Sequence, residues 1–79
     1  MTETETALSE ELFKIAPDVE LADINRSADL REEFDIDSMD FLNLVTALGK
    51  RFGIPMPEAD YPQMRTFNDL ARYLSSATS

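Results

Sequence analysis

The sequence predicts an all-α fold: a small four-helix bundle with three main helices, one short helix, and a long ordered loop between helices 1 and 2. Three separate segments of the 79-residue chain carry apolar residues at helical spacing. The sequence shows no strand-like alternation, Asn-Gly hairpin signal or internal repeat. We therefore expect residues 1–79 to form a single small domain, which buries only about 60% of its unfolded surface.

The first helix is predicted from about Thr4 to Ala16. Its apolar stripe comprises Leu8, Leu12 and Ile15. Glu10 and Lys14 are spaced as a favourable i,i+4 ion pair on this helix. Pro17 ends the helix, because the residue before a proline is disfavoured in the α region.

The segment from Pro17 to Asp37 is predicted to be a packed loop. About 20 residues without regular structure are uncommon in a compact domain unless the loop is functional. The segment is too apolar to be a disordered tether, and one helical turn fits residues 27–33 within it. Its apolar residues are Val19, Leu21, Ile24, Leu30, Phe34 and Ile36.

The second helix is predicted from about Ser38 to Phe52. Asp37 is a typical N-cap residue, and Asp40 lies in the first turn, where the helix dipole favours negative charge. Gly53 is expected to end the helix in the left-handed conformation. Gly49, inside the helix, costs about 1 kcal/mol relative to alanine.

A proline-rich connector follows, and a short third helix is predicted to begin at Pro57 and to be ended by Pro62. The last helix is predicted from about Phe67 to Ser75, with a frayed tail. Thr66 and Asp69 resemble a weak capping box at its start. The residues expected in the core from the second and last helices are Phe41, Leu44, Val45, Leu48, Phe67, Leu70 and Leu74.

The composition excludes several classes of function. Sixteen acidic and seven basic residues give a net charge of −9, which repels nucleic acid and anionic membranes and favours salt-sensitive encounters with basic protein surfaces. The absence of cysteine and histidine excludes disulfides and the usual zinc sites. The acidic N-terminus does not resemble a signal peptide, and no apolar run approaches the roughly 20 residues that span a bilayer. We expect a monomeric, cytoplasmic protein that binds neither nucleic acid nor membranes.

Ser38 is predicted at the first position of the second helix, between Asp37 and Asp40. A hydroxyl beside the positive end of a helix is favourably placed for a phosphate ester. The nearest proton acceptors are carboxylates, which repel an attacking anion, and the chain has no histidine or cysteine to act as a base. We therefore expect no catalytic residue in this chain. Ser38 is either a plain helix-cap serine or a serine that another enzyme esterifies.

The three aspartates around Ser38 do not fit a calcium-binding loop. If Asp35 is position 1 of an EF-hand loop, position 6 is Asp40 instead of glycine, and position 12 is Thr46 instead of glutamate. We therefore expect no dedicated metal site.

The stretch Phe34-Asp35-Ile36-Asp37-Ser38-Met39-Asp40 resembles the prosthetic-group attachment site of the acyl carrier proteins. In that family the serine of an Asp-Ser-Leu motif carries 4'-phosphopantetheine as a phosphodiester, and the thiol of this arm holds the cargo as a thioester. The resemblance implies that Ser38 is the attachment serine and Asp37 the aspartate before it. Met39 replaces the usual leucine, which is a volume-conserving apolar change. The resemblance extends over nearly the whole chain and includes the long ordered loop.

The resemblance also implies partners, namely a phosphopantetheinyl transferase and acyl-loading and acyl-processing enzymes with basic docking surfaces. The expected partner-binding residues are Asp35, Met39, Asp40, Leu42, Asn43 and Thr46. Leu42 lies at the flank of the apolar stripe, so the alternative to partner contact is that this residue belongs to the core. A small acidic helical adaptor without a prosthetic group is the alternative function.

The second half of the second helix departs from the fatty-acid carriers that the chain resembles. Those carriers are commonly acidic along the whole helix, whereas Asn43, Gly49, Lys50 and Arg51 make this half neutral to basic. Asp-Ser-Met also occurs in some carriers of activated amino acids, such as the D-alanyl carrier. These features favour a specialised pathway, and they leave a fatty, polyketide, aryl or aminoacyl cargo open.

Overall fold

The structure, a computed structural model, describes residues 2–78 except for the side chain of Leu21, whose predicted packing therefore lies outside the described residues. The α-helices are α1 (Glu3–Ile15), α2 (Leu30–Glu33), α3 (Ser38–Phe52) and α4 (Phe67–Thr78). The 3₁₀ segments span Leu21–Asp23 and Glu58–Met64. Within residues 2–78 there is no β-strand, so the predicted all-α fold is confirmed, with α1, α3 and α4 as its main helices.

A capping box at Thr2 begins α1. The Thr2 hydroxyl accepts a hydrogen bond from the Glu5 backbone N–H (3.2 Å), and the Glu5 carboxylate accepts one from the Thr2 N–H (3.0 Å). The pKa of the Glu5 carboxyl is lowered below its usual value, mainly by the hydrogen bond from the Thr2 backbone N–H. The helix ends at Ile15, just before Pro17 as predicted.

One hydrophobic core joins the main helices and the long loop. Every residue predicted in the core from the second and last helices is buried. α1 packs against both α3 and α4. The loop residues Leu30, Phe34 and Ile36 are buried too, and Val19 and Ile24 pack against the core. The prediction of a packed loop is therefore confirmed for these side chains.

Backbone hydrogen bonds fasten the middle of the long loop to the start of α4. The Leu30 N–H donates to the Arg65 carbonyl (2.8 Å), and the Asn68 N–H donates to the Arg26 carbonyl (3.1 Å). The Arg26 guanidinium also lies 4.9 Å from the centre of the Phe67 ring, within the range of a cation–π contact. The loop is therefore tied to α4 by both main-chain and side-chain contacts.

The ion pairing of α1 differs from the prediction. Lys14 does not pair with Glu10; its ammonium lies 3.2 Å from Glu11 instead. Glu10 binds Arg51 of α3 at 2.5 Å, and Arg51 also reaches Glu11 at 3.0 Å. The reason is tertiary: Glu11 is almost buried between the helices, and the forked guanidinium of Arg51 satisfies both carboxylates at once. The hydrogen bond to Glu10, and next that to Glu11, raise the pKa of Arg51 above its usual value.

The predicted short third helix is a 3₁₀ helix, and its predicted end at Pro62 is wrong. It runs from Glu58 to Met64, with Pro57 as its N-cap rather than its first residue. Pro62 lacks one backbone N–H, but the segment continues because its last residue, Met64, is fully buried in the core. The Tyr73 hydroxyl of α4 donates to the Asp60 carboxylate at 2.7 Å and holds the 3₁₀ helix in place.

Gly49, inside α3, and Gly53, directly after it, are glycines for different structural reasons. Gly53 follows the helix with φ 66°, the left-handed conformation that was predicted. Gly49 has a packing reason that periodicity does not show. A Cβ at this position would lie 3.1 Å from both the Ile54 carbonyl oxygen and Met56 Cγ. The connector after α3 therefore approaches the helix closely because residue 49 has no side chain.

The last helix is longer than predicted and continues to Thr78, whose hydroxyl donates to the Leu74 carbonyl at 2.8 Å. Thr66 caps its start by accepting a hydrogen bond from the Asp69 N–H at 3.0 Å. The Asp69 carboxylate lies 3.8 Å from Arg72 rather than on the Thr66 backbone, so half of the predicted capping box forms.

Candidate functional site

Ser38 is the first residue of α3, and its side chain is exposed. The helix-cap role belongs to Asp37, whose carboxylate accepts a hydrogen bond from the Asp40 N–H at 2.9 Å. The Ser38 hydroxyl has no hydrogen-bond partner among residues 2–78. The hydroxyl is therefore not occupied by capping, and it lies at the positive end of a four-turn helix, where a phosphate ester is stabilised.

The backbone just before Ser38 contains a feature that the sequence pattern did not predict. Asp35 adopts the left-handed conformation with φ 51°. It follows α2, and the next N–H, of Ile36, donates to the Arg31 carbonyl at 3.0 Å. Aspartate tolerates this conformation better than most residues, because its short polar side chain can bond locally. The turn directs the chain from α2 into α3 and so positions Ser38.

The residues predicted to bind partners are exposed, except for the half-buried Asp40. The exposed fractions of Met39 and Leu42 are 64% and 45%, so the alternative core position of Leu42 is wrong. Asp35, Asn43 and Thr46 are exposed, and Asp40 is half-buried. α3 thus presents two large apolar side chains to solvent in the two turns that follow Ser38.

A groove with a volume of about 600 Å³ opens beside Ser38, along the first turns of α3 and the 3₁₀ helix. Its apolar lining consists of Met39, Phe41, Leu42, Tyr61 and Pro62. Its polar lining consists of Asp29, Arg31, Ser38, Glu58 and Arg65. The Phe41 and Tyr61 rings meet edge to face, with centroids 5.5 Å apart and an interplanar angle of 82°.

The groove carries two arginines that the sequence patterns missed. Arg65 lies 3.6 Å from the Asp29 carboxylate. Arg31 is exposed and pairs with no carboxylate among residues 2–78. Neither arginine shares a helix face with Ser38, and only the folding of α2 and the segment after the 3₁₀ helix brings them to the same groove. Local spacing therefore gave no signal for them.

The structure also corrects the predicted basic character of the second half of α3. The charge of Arg51 is directed at Glu10 and Glu11 of α1, so this residue stabilises the contact between the helices. Lys50 is exposed and has no carboxylate partner within the described residues. On the face that continues from Ser38, the change from the acidic pattern thus rests on Lys50 and the neutral Asn43.

Among residues 2–78, no three or more metal-ligating side chains gather in one place. None of the helices in the same part of the chain is both long and apolar enough to cross a bilayer.

Residues 7–74 match the family described as "Phosphopantetheine attachment site". The acyl carrier protein of Acidothermus cellulolyticus is 25% identical over 73 residues, which cover 92% of this chain and 86% of the relative. The acyl carrier protein of Chlamydia muridarum is 31% identical over 52 residues, which cover 66% of this chain and 68% of the relative.

The fold is shared with a solved structure as well. The solution structure of a candidate acyl carrier protein from Anaplasma phagocytophilum has a TM-score of 0.83, at 24% identity, and the match covers 98% of this chain and 90% of that one. The family match includes the exposed serine at the start of α3 and nearly all of the core around it. The chain therefore belongs to the acyl carrier protein family, which carries its cargo on a phosphopantetheine arm.

Proposed function

We propose that Ser38 is the residue that carries the 4'-phosphopantetheine arm, and that the protein presents acyl intermediates to successive partner enzymes. The chain acts as a carrier and not as an enzyme, as its family does. One observation supports the choice of Ser38 above the others: its hydroxyl is exposed at the start of α3, and it has no hydrogen-bond partner within residues 2–78. Asp37 supports the choice by capping the helix in its place.

The residues around Ser38 fit a phosphodiester. The N-terminus of α3 offers backbone N–H groups and a positive dipole end to an attached phosphate. When bound, the arm supplies a terminal thiol that holds an acyl group as a thioester. The protein's part is to hold the serine at an exposed helix start, next to an apolar groove and within reach of a partner's active site.

Intact mass tests the attachment residue. The protein treated with a phosphopantetheinyl transferase and coenzyme A should gain the mass of one arm, and Ser38→Ala should gain none. Ser27→Ala is the matched control, because Ser27 is another exposed serine outside the α3 N-terminus and its loss should leave the gain intact. If a control carrier is loaded by the same transferase and this chain is not, the protein is an acidic helical adaptor without a prosthetic group.

We propose further that the transferase and the acyl-processing enzymes dock through basic surfaces on the residues around Ser38. The proposed contact residues are Asp35, Met39, Asp40, Leu42, Asn43 and Thr46. Exposed charges steer a partner of opposite sign, and salt screens them over about 8 Å at physiological ionic strength. The exposed Met39 and Leu42 supply the apolar contact that charge alone does not give.

Loading kinetics test the docking surface. The rate of modification should fall as salt rises, and Asp35→Asn should slow loading while the protein stays folded. Glu3→Gln is the matched control, since it removes the same charge near Arg51 and Phe52, at the far end of α3, about 20 Å from Ser38. Loading that is independent of salt, or equally slow in both variants, contradicts steering by the residues around Ser38.

The cargo and the compartment belong to the proposal too. The cysteine-free composition suits a reducing cytoplasm, where we place the protein. Lys50 and Asn43 on the exposed face of α3 favour a dedicated set of partners, in a specialised acyl or aminoacyl pathway, over a fatty acid or polyketide synthase. Mass analysis of the cargo released from the loaded protein, isolated from its native host, distinguishes these pathways. A long-chain fatty acyl group as the main cargo contradicts the specialised assignment.

A further inference from the structure

We propose that Arg31 binds the phosphodiester that joins the arm to Ser38, and that this contact directs the first part of the arm along the groove. The inference rests on the proposed attachment at Ser38. It assigns a positioning role to a residue that lies outside the attachment motif and outside the predicted docking surface.

Arg31 and Ser38 line the same groove, together with Met39, Leu42 and Tyr61. An attached phosphate is one bond away from the Ser38 oxygen, so it must lie at the edge of this groove. The Arg31 carbonyl accepts a hydrogen bond from the Ile36 N–H at 3.0 Å, which fixes the backbone of Arg31 close to the residues that lead into α3.

The chain has sixteen acidic and seven basic residues, so carboxylates are abundant. Within the described residues, five of the basic side chains lie within ion-pair distance of a carboxylate; they are Lys14, Arg26, Arg51, Arg65 and Arg72. Arg31 and Lys50 have no such partner there. Of these two, Arg31 alone lines the groove that contains Ser38.

The guanidinium of Arg31 is chemically suited to bind a phosphodiester. A phosphodiester carries one negative charge on two oxygens, and the planar guanidinium offers parallel N–H donors that match such a pair. Arg65, on the same groove, already has the Asp29 carboxylate as a partner at 3.6 Å. The aspartates around Ser38 repel an added phosphate, and an unpaired cation on the groove side opposes that repulsion. The phosphodiester is thus drawn toward the groove rather than out to solvent.

³¹P NMR of the loaded protein tests the contact. After intact mass confirms one arm per chain, the ³¹P resonance of the wild type is compared with that of Arg31→Gln and of the loaded protein unfolded in urea. We expect Arg31→Gln to move the resonance toward the unfolded position, and Arg31→Lys, which keeps the charge without the fork, to give an intermediate shift. Lys50→Gln is the matched control, an unpaired cation near the other end of α3, and should leave the resonance unchanged.

A second readout follows Arg31 itself. In ¹⁵N-labelled protein, we expect the exchange of the Arg31 Nε–H with water to slow by about two- to five-fold on loading, the range for an exposed charge pair. Circular dichroism confirms that each variant is folded, which we expect because Arg31 is exposed and contributes no core contact.

The possible failures are distinguishable. A chain that gains no arm overturns both the attachment at Ser38 and the role of Arg31. A loaded chain whose ³¹P resonance is the same in the wild type and in folded Arg31→Gln overturns only the role of Arg31. If Arg31→Gln slows loading while that resonance stays in place, Arg31 contacts the transferase and the proposed phosphodiester contact is wrong.

Discussion

The left-handed conformation of Asp35 leads to a quantitative prediction about the turn before Ser38. The φ of 51° is costly for a residue with a Cβ, by about 1–2 kcal/mol for an ordinary side chain. Glycine avoids this cost, although it also loses about 0.4–1 kcal/mol through the greater freedom of the unfolded chain. Asp35→Gly should therefore be more stable than Asp35→Ala by about 1 kcal/mol. For a domain of this size that difference is about 4–8 °C in melting temperature.

The comparison must be separated from the charge that each variant removes. Asp35→Asn removes the same charge and keeps a side chain that tolerates the left-handed conformation, so both variants are compared with it. Gly53→Ala calibrates the backbone cost. Gly53 has φ 66°, and a Cβ added there meets no atom within 4 Å, so its replacement measures conformational strain without a clash.

Thermal unfolding followed by circular dichroism, at one salt concentration, measures the series. The expected order of melting temperature is Asp35→Gly at or above Asp35→Asn, and both above Asp35→Ala. Gly53→Ala should lose about as much relative to wild type as Asp35→Ala loses relative to Asp35→Gly. If Asp35→Ala and Asp35→Gly melt together while Gly53→Ala is destabilised, the turn before Ser38 is not held in the left-handed conformation, and the account of how α2 leads into α3 is refuted.

Three further predictions concern contacts between the helices and the segments packed against them. Arg51→Gln should lower the melting temperature more than Lys50→Gln, because only the first leaves the nearly buried Glu11 without its guanidinium; equal losses in thermal unfolding contradict this. Gly49→Ala should fail to give the gain of about 1 kcal/mol expected inside a helix, since the added Cβ meets atoms at 3.1 Å; urea unfolding measures it, and a full gain contradicts the close approach. The hydrogen bond to the Asp60 carboxylate raises the pKa of Tyr73. The stabilisation from this bond is therefore complete below the unfolded tyrosine pKa of about 10, and it is lost as the pH rises through the higher pKa of the folded protein. The fall in melting temperature from pH 8 upward should be smaller in Tyr73→Phe than in the wild type. An equal fall in both proteins contradicts the prediction.

The helix α3 could be predicted from sequence because its signals are local. Asp37 caps it, Gly53 ends it in the left-handed conformation, and the apolar stripe between them is buried, all as expected. A capping carboxylate and a glycine act within one turn of their own backbone, so neighbouring residues suffice to identify them. The exposure of Met39 followed from the same helical geometry.

The features that the sequence did not predict depend on contacts between distant segments. Glu10 pairs with Arg51 across two helices, whereas spacing along the chain indicated Lys14. Arg31 reaches the groove of Ser38 because a short helix forms within the loop and is tied to the start of α4. The 3₁₀ helix continues through Pro62 because contacts with the rest of the fold hold it in place: Met64 is buried, and the Tyr73 hydroxyl of α4 donates to Asp60. Helical periodicity contains no information about any of these arrangements.

The bonds between the long loop and the start of α4 determine how the region before Ser38 can open. The amide protons of Leu30 and Asn68 lie on opposite sides of this junction, in segments far apart in the chain, and each bonds across it. They can exchange with solvent only when the junction separates, so we expect both to exchange at a common rate, slower than that of amides elsewhere in the loop. We therefore expect the segment that leads to Ser38 to unfold together with the start of α4 as one cooperative unit. A partner enzyme that displaces this segment must also supply the free energy that separates it from the start of the last helix.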